Sequence, residues 1–245
     1  MEDNITQPRI YVPLALQEAQ NVILPPTATR HIQVLRMQPQ DQIYVFNGEG
    51  GQWLATITEM GKNHAHVFIN AHQNIEREAS VCVSLLVGIP ANERMDFLIE
   101  KATELGAVHI YPLIFSRSVV KLNAERAAKK LAHWQAIAIA ACEQCGRNRI
   151  PQIHPVMSLT QLLQLQLQNL PKDRRVLSFQ KNASLWTASN KVTSVCILSG
   201  PEGGLSPQEE DKLISEAGFS PFSLGSRILR ADTAPLAALG TFSLY

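Results

Sequence analysis

Apolar positions along this chain recur in two rhythms. Up to residue 73 they fall in short β-branched or aromatic runs bounded by Gly, Asn and Asp: RIYV (9–12), DQIYVFNG (41–48), QWLATITEM (52–60) and HAHVFIN (64–70). Such runs predict strands, and TATRHIQVLRM (27–37) predicts a short helix among them. A polar break, AHQNIEREAS (71–80), divides the chain into units of residues 1–73 and 80–245. Beyond it, strands alternate with helical patterns, and the first strand is a continuous apolar run suited to burial on both faces. The strands are VCVSLLVGI (81–89), VHIYPLIF (108–115), RRVLSF (174–179), SVCILSG (194–200) and FSPFSLG (219–225). Between the first two, residues 92–106 place Met95, Leu98, Ile99, Ala102 and Leu105 on one helical face, with Gly106 as terminator. A long helix follows Asn123 as cap and stops at Gly146. A shorter one lies near 158–168, and a last one starts at about Asp232. Strands interleaved with helices in this way predict an α/β fold with a mostly parallel sheet.

Composition adds mainly exclusions. With 45% apolar and 18% charged residues the chain is ordinary for a globular protein, and no apolar run is long enough to span a bilayer. The polar N-terminus is neither a signal nor a transit peptide. Four cysteines without a disulfide-like framework (Cys82, Cys142, Cys145, Cys196) predict a reducing, cytoplasmic location. Net charge is +1, but residues 116–149 hold seven bases against two acids. That segment is either a solvated helix face or a surface for a polyanion.

The chemistry concentrates in two late loops. LSGPEGGLSPQEED (198–211) carries a strand into a glycine-rich turn, then into a helix with a Ser206/Glu209 capping box and Pro207 at its first position. It lacks the Lys-Ser/Thr of a phosphate-binding P-loop, and it follows the fourth strand rather than the first, so it is no dinucleotide fingerprint. Gly203 and Gly204 let backbone approach a ligand closely, with Glu202 beside them; a plain tight turn is the alternative. SLGSRILRADTAPLAAL (223–239) leaves a strand at Gly225, carries two arginines, and enters a helix at Asp232. Two such loops at the ends of late strands predict one crevice, the usual ligand place in an open α/β sheet.

GPEGGLS followed by LGSRILRADTA resembles the paired C-terminal motifs of the SPOUT RNA methyltransferases. The likeness is closest to the family that methylates N3 of a uridine in 16S ribosomal RNA, usually LIGPEGG…LG-x-[RK]-[IV]-LR-x-E-T-A. EKATELGAVHIYPL (100–113), WQAIAIAACEQCGRNRIP (134–151) and the N-terminal RIYV…HIQVLRM are similar to that family too, so the resemblance covers nearly the whole chain. One position departs: Asp232 stands where the family has glutamate, with Pro235 close behind.

The resemblance implies an N-terminal PUA-like RNA-binding β-barrel and a C-terminal SPOUT domain tied in a deep trefoil knot. It also implies S-adenosylmethionine (SAM) as cofactor, the small ribosomal subunit as partner, and a homodimer formed through the second domain. Leu198, Gly200, Gly203, Leu224, Gly225, Ile228 and Leu229 are the expected cofactor-binding residues, supplying apolar walls and backbone hydrogen bonds to a neutral adenine. Arg230 is the expected stabiliser of a uridine anion, with Asp232 or Glu202 as proton acceptor; a salt bridge between Arg230 and Asp232 is the plainer alternative. Arg9, Arg30, His31, Arg36, Arg117, Arg147 and Arg149 are the expected RNA contacts. Ribose 2′-O-methylation and a non-catalytic role in ribosome assembly are the competing functions. Neither a membrane nor a metal is expected: Cys142 and Cys145 sit at the end of a helix rather than opening one. His64 and His66 alternate on a strand face with no carboxylate in view.

Overall fold

The computed structural model describes residues 7–91, 93–165, 167–180, 183–185 and 192–243. The polar N-terminal residues 1–6 and Asn92, at the start of the 92–106 helical pattern, lie outside them. The chain divides into two compact units, residues 1–78 with 139–150, and residues 79–138 with 151–245.

The first unit is a five-stranded sheet in the order β1-β3-β4-β5-β2, with one helix. The strands are β1 (Arg9–Tyr11), β2 (Asn21–Ile23), β3 (Gln42–Phe46), β4 (Gln52–Met60) and β5 (Ala65–Gln73), and helix α1 spans Pro26–Val34. β1 pairs parallel with β3, and the other pairs are antiparallel. Alternation decides which face is buried: Ile43, Val45, Ala55, Ile57, Val67 and Ile69 point inward and are fully covered. Ile32 of α1 and Trp53 join the same core. β2, a three-residue strand, was too short to show a period.

Residues 139–150 belong to this unit for polar reasons. The Tyr11 N–H donates to Glu143 Oε1 (2.9 Å), and Arg9 Nη2 donates to the Arg147 carbonyl (3.1 Å) and to Asn148 Oδ1 (2.6 Å). Asn148, fully buried, donates in turn to the Ile75 carbonyl at 2.6 Å. Arg147 is 3% exposed and its guanidinium grips Glu78, with Nε at 3.0 Å. A buried cation without that carboxylate would cost several kcal/mol.

The second unit is built on an all-parallel sheet ordered β11-β13-β10-β12-β6-β7-β8, with β9 on the far part of β7. The five expected strands are all present: β6 (Cys82–Gly88), β7 (Ala107–Ile114), β10 (Arg174–Leu177), β12 (Ser194–Ser199) and β13 (Ser220–Ser223). β8 (Gln152–Ile153), β9 (Met157–Ser158) and β11 (Ser184–Leu185) are two-residue additions. Helices α2 (Arg94–Glu104), α3 (Ala124–Cys145), α4 (Leu159–Leu165), α5 (Pro207–Asp211) and α6 (Thr233–Ser243) complete the order, with α3 ending in the first unit. Asn123 caps α3 through the Arg126 N–H at 2.9 Å. The Ser206/Glu209 box closes α5 reciprocally, which satisfies two of its otherwise orphaned N–H groups. α6 packs against β6, β12 and α2, burying Ala238, Leu239 and Phe242. No helix among the described residues is long and apolar enough to cross a membrane.

Candidate functional site

β13, β10 and β12 are neighbours, and all run the same way. Their carboxyl ends therefore open on one edge of the sheet, where the loops that follow them face each other. Between these loops lies a crevice of about 770 Å³. Residues 177–180, 199–205 and 223–225 contribute the strand ends, and 227–231 with Ala234 close the other side.

Most of the residues expected at a cofactor site meet here. Gly200, Gly203, Leu224, Gly225, Ile228 and Leu229 line the crevice, and so do Glu202 and Arg230. Leu198 lies beneath, fully buried in the cluster with Val176, Cys196 and Phe219. Asp232 is not among the lining residues; its Oδ1 accepts from the Thr233 N–H at 3.1 Å. Gly225 has φ +109°, a left-handed value that side chains rarely adopt, and a Cβ there would meet nothing.

The glycine loop is held from several directions. Glu202 Oε1 accepts from the Ala91 N–H at 2.7 Å, with Arg94 Nη1 at 3.9 Å. Arg117 Nη1 donates to the carbonyls of Gly203 (3.3 Å) and Leu205 (3.1 Å). A Cβ on Gly203 would come within 3.0 Å of the Arg117 backbone oxygen. So the missing side chain at that position makes room for Arg117. Glu209 does more than cap: besides Ser206, it accepts from the Ser116 N–H (2.7 Å) and hydroxyl (2.9 Å). Burial pushes the Glu209 carboxyl up, but the backbone and hydroxyl donors of Ser116 and Ser206 outweigh it and hold it below its ordinary range.

Three crevice features were not foreseen. Gly88, at the end of β6, approaches the loop so closely that a Cβ would lie 2.8 Å from the Gly200 carbonyl carbon. Phe179 stands 76% exposed and lines the crevice together with the 85%-exposed Ile228. Arg94 adds a cation to the same wall. Of these, Phe179 alone had a visible signal, as the aromatic ending a predicted strand.

The expected RNA residues separate. Arg30, Arg36 and Arg149 are exposed, the last with Glu76 at 3.4 Å. Arg9 and His31 line a second cavity of about 560 Å³ within the first unit, together with Arg77, Tyr44 and Gln52. His31 Nδ1 sits 3.3 Å from Glu143, whose carboxyl burial pushes up despite the Tyr11 N–H and His31. Arg117 is exposed, lines the crevice and donates to the glycine loop, whereas Arg147 is buried against Glu78. Cys142 is buried and its thiol pushed up to about 12, an inert group.

The chain is similar to known proteins along most of its length. A model of an RNA methyltransferase domain matches residues 77–243, and one of an RNA methyltransferase PUA domain matches residues 24–70. The chain is 33% identical over 238 residues to the ribosomal RNA small subunit methyltransferase E of Bacillus subtilis, spanning 93% of this chain and 91% of that one. A Neisseria gonorrhoeae ribosomal RNA small subunit methyltransferase E, crystallised with S-adenosylmethionine, superposes with a TM-score of 0.87 at 38% identity and 96% coverage of both chains. A Legionella pneumophila protein solved with the cofactor SAM bound gives 0.89 at 36% identity, again over 96% of each chain. With its PUA-like first domain and SPOUT-like parallel sheet, the chain belongs to the RNA methyltransferase family that includes the ribosomal RNA small subunit methyltransferases E.

Proposed function

We propose that this protein methylates N3 of a uridine in 16S ribosomal RNA, using SAM held in the crevice at the ends of β10, β12 and β13. The observation that carries the reading is the crevice itself, where both family motifs converge with Arg230 at the exposed edge. The relatives' names and the cofactor in two similar structures support the same reading.

The residues present fit the cofactor. Leu177, Phe179, Leu205, Leu224, Ile228 and Leu229 give apolar walls for an adenosine, and the strand ends present backbone amides and carbonyls. Gly200, Gly203 and Gly225 would hold it together with Leu224, Ile228 and Leu229, over a floor that includes Leu198. When bound, the cofactor supplies an electrophilic methyl group on a sulfonium.

The chain's own task is to make N3 nucleophilic. That nitrogen carries a proton at neutral pH, and losing it spreads negative charge onto O2 and O4. Arg230 offers a fixed cation and planar donors to one of those oxygens, which favours the deprotonated base. Glu202 is engaged by Ala91 and Arg94, and Asp232 lies at the start of α6. We therefore assign Glu202 to holding the loop after β6, and Asp232 to α6, with the proton passing to solvent. Arg30, Arg36 and Arg149 would contact the RNA backbone. We also propose that the protein works as a homodimer in the cytoplasm, with Phe97, half exposed on α2, among the side chains a second copy would cover.

The test is mass spectrometry of nucleosides from 16S RNA of a deletion strain. N3-methyluridine should vanish and return with the wild-type gene alone. Loss of a ribose-methylated nucleoside instead would favour 2′-O-transfer.

A further inference from the structure

His64 and His66 have no carboxylate near them in sequence pattern; the fold supplies one. β4 and β5 pair Ile57 with Val67 but Glu59 with His66, so one residue of β4 is extra at that point. Such a bulge re-aims the next side chain, and here it brings Glu59 onto the face that carries the histidines. Glu59 Oε1 lies 3.0 Å from His64 Nε2, and the two imidazoles meet edge to face with centroids 5.4 Å apart. One ligand atom from each of Glu59, His64 and His66 lies within 4.8 Å of the other two.

The turn that joins these strands is shaped around His64. A Cβ on Gly61 would fall 2.6 Å from His64 Nε2 and 2.7 Å from Nδ1, so the imidazole folds over the turn only because residue 61 has no side chain. The Gly61 N–H donates to the His64 carbonyl at 2.8 Å. Gln33 of α1 donates to the carbonyls of Gly61 (2.9 Å) and Lys62 (3.1 Å), which anchors the turn from outside the hairpin. The positions of the three side chains thus follow from a bulge, a glycine and an anchor rather than from chance exposure.

We propose that Glu59, His64 and His66 bind one divalent metal ion of borderline hardness, zinc in the first instance. Two imidazole nitrogens and one carboxylate oxygen are a donor set suited to zinc, with a fourth position left for water or an outside ligand. Donors sharing a tetrahedral zinc at about 2.0–2.1 Å stand roughly 3.3 Å apart. The Glu59–His64 pair is already near that spacing, and a ligand atom of His66 lies within 4.8 Å of both. The site lies in the first unit, whereas the methyl-donor crevice belongs to the second, and none of the three residues lines that crevice.

The experiment is zinc titration of tag-free, chelator-treated full-length protein by calorimetry. The wild type should take up one equivalent with a dissociation constant on the order of micromolar. His66→Gln and Glu59→Gln should each weaken that uptake at least about tenfold, while His109→Gln, on a strand of the other unit, leaves it unchanged. SAM binding should be equal in all four proteins. As a readout independent of any variant, imidazole nitrogen NMR of the wild type should show zinc moving the His64 and His66 signals selectively. No uptake at about 100 µM zinc, a dissociation constant far above the micromolar range, would overturn the proposal. So would uptake unchanged by His66→Gln, or NMR shifts confined to other histidines.

Discussion

The two loops that face each other across the crevice have opposite mechanical characters. Residues 200–206 are tied to two other segments: Glu202 to Ala91, and the Ser116–Arg117 pair to two loop carbonyls and to Glu209, which also holds Ser206. Gly88 presses backbone against backbone beneath them. Residues 225–231 have a lighter hold. Ser223 Oγ meets Gly225 (3.2 Å), and the Arg230 carbonyl accepts from Thr233 and Ala234, while Arg227, Ile228 and Arg230 stand exposed. A site that must hold a cofactor in one pose and admit a large RNA benefits from this division. The fixed loop preorganises the methyl donor, and the exposed loop reaches the incoming base.

The largest expected effect lies on the exposed side. Arg230→Ala should slow methyl transfer by roughly 10²–10³-fold, the cost of removing one donor to a developing anion. SAM affinity, measured by calorimetry, should stay within about threefold. A parallel loss of cofactor affinity would merge the two loops into one function and break the contrast.

On the fixed side, Gly88→Val should weaken SAM binding by about 30- to 100-fold, because a backbone obstacle costs a few kcal/mol and cannot be relieved by a rotamer change. Far-UV circular dichroism should show the sheet intact.

Glu209→Gln sharpens the same point through pH. The Glu209 carboxyl is depressed in the folded protein from an ordinary 4.5. Its stabilisation is therefore complete above that value and lost as pH falls through the lower folded-state value. The wild type should melt progressively earlier as pH drops below the ordinary value, and the variant should lack that component. At neutral pH the variant should be less stable by about 1–3 kcal/mol, since four donors lose a charged acceptor.

The smallest effect belongs to Asp232→Asn, which should change the transfer rate by no more than about threefold, because the carboxylate serves α6. A rate loss like that of Arg230→Ala would instead make Asp232 the proton acceptor.

What the sequence could reveal follows the range of the interactions. β6, β7 and β12 were legible because burial on both faces leaves continuous apolar runs, whereas β10 and β13, each with a single fully buried position, showed only through their alternation with helices. Asn123 and the Ser206/Glu209 box were legible because capping is local. The two-residue strands β8, β9 and β11 carry no period. Placing β10 between β12 and β13 depends on pairing across the chain, which no window shows. The crevice residues came from motif spacing, yet the reason for Gly203 did not: it makes way for Arg117, 86 residues earlier. Charge was the weakest guide. Arg147 reads as a surface base until Glu78, 69 residues away, is seen to bury it. Glu59 went unnoticed beside His66 because a bulge, invisible in a period-two pattern, turns it onto that face.

Hydrogen–deuterium exchange with and without saturating SAM tests the central claim most directly. The account predicts that amides of both 200–206 and 225–231 slow together on binding, with the larger change in the exposed loop. Protection of one loop alone, or of neither, would contradict it.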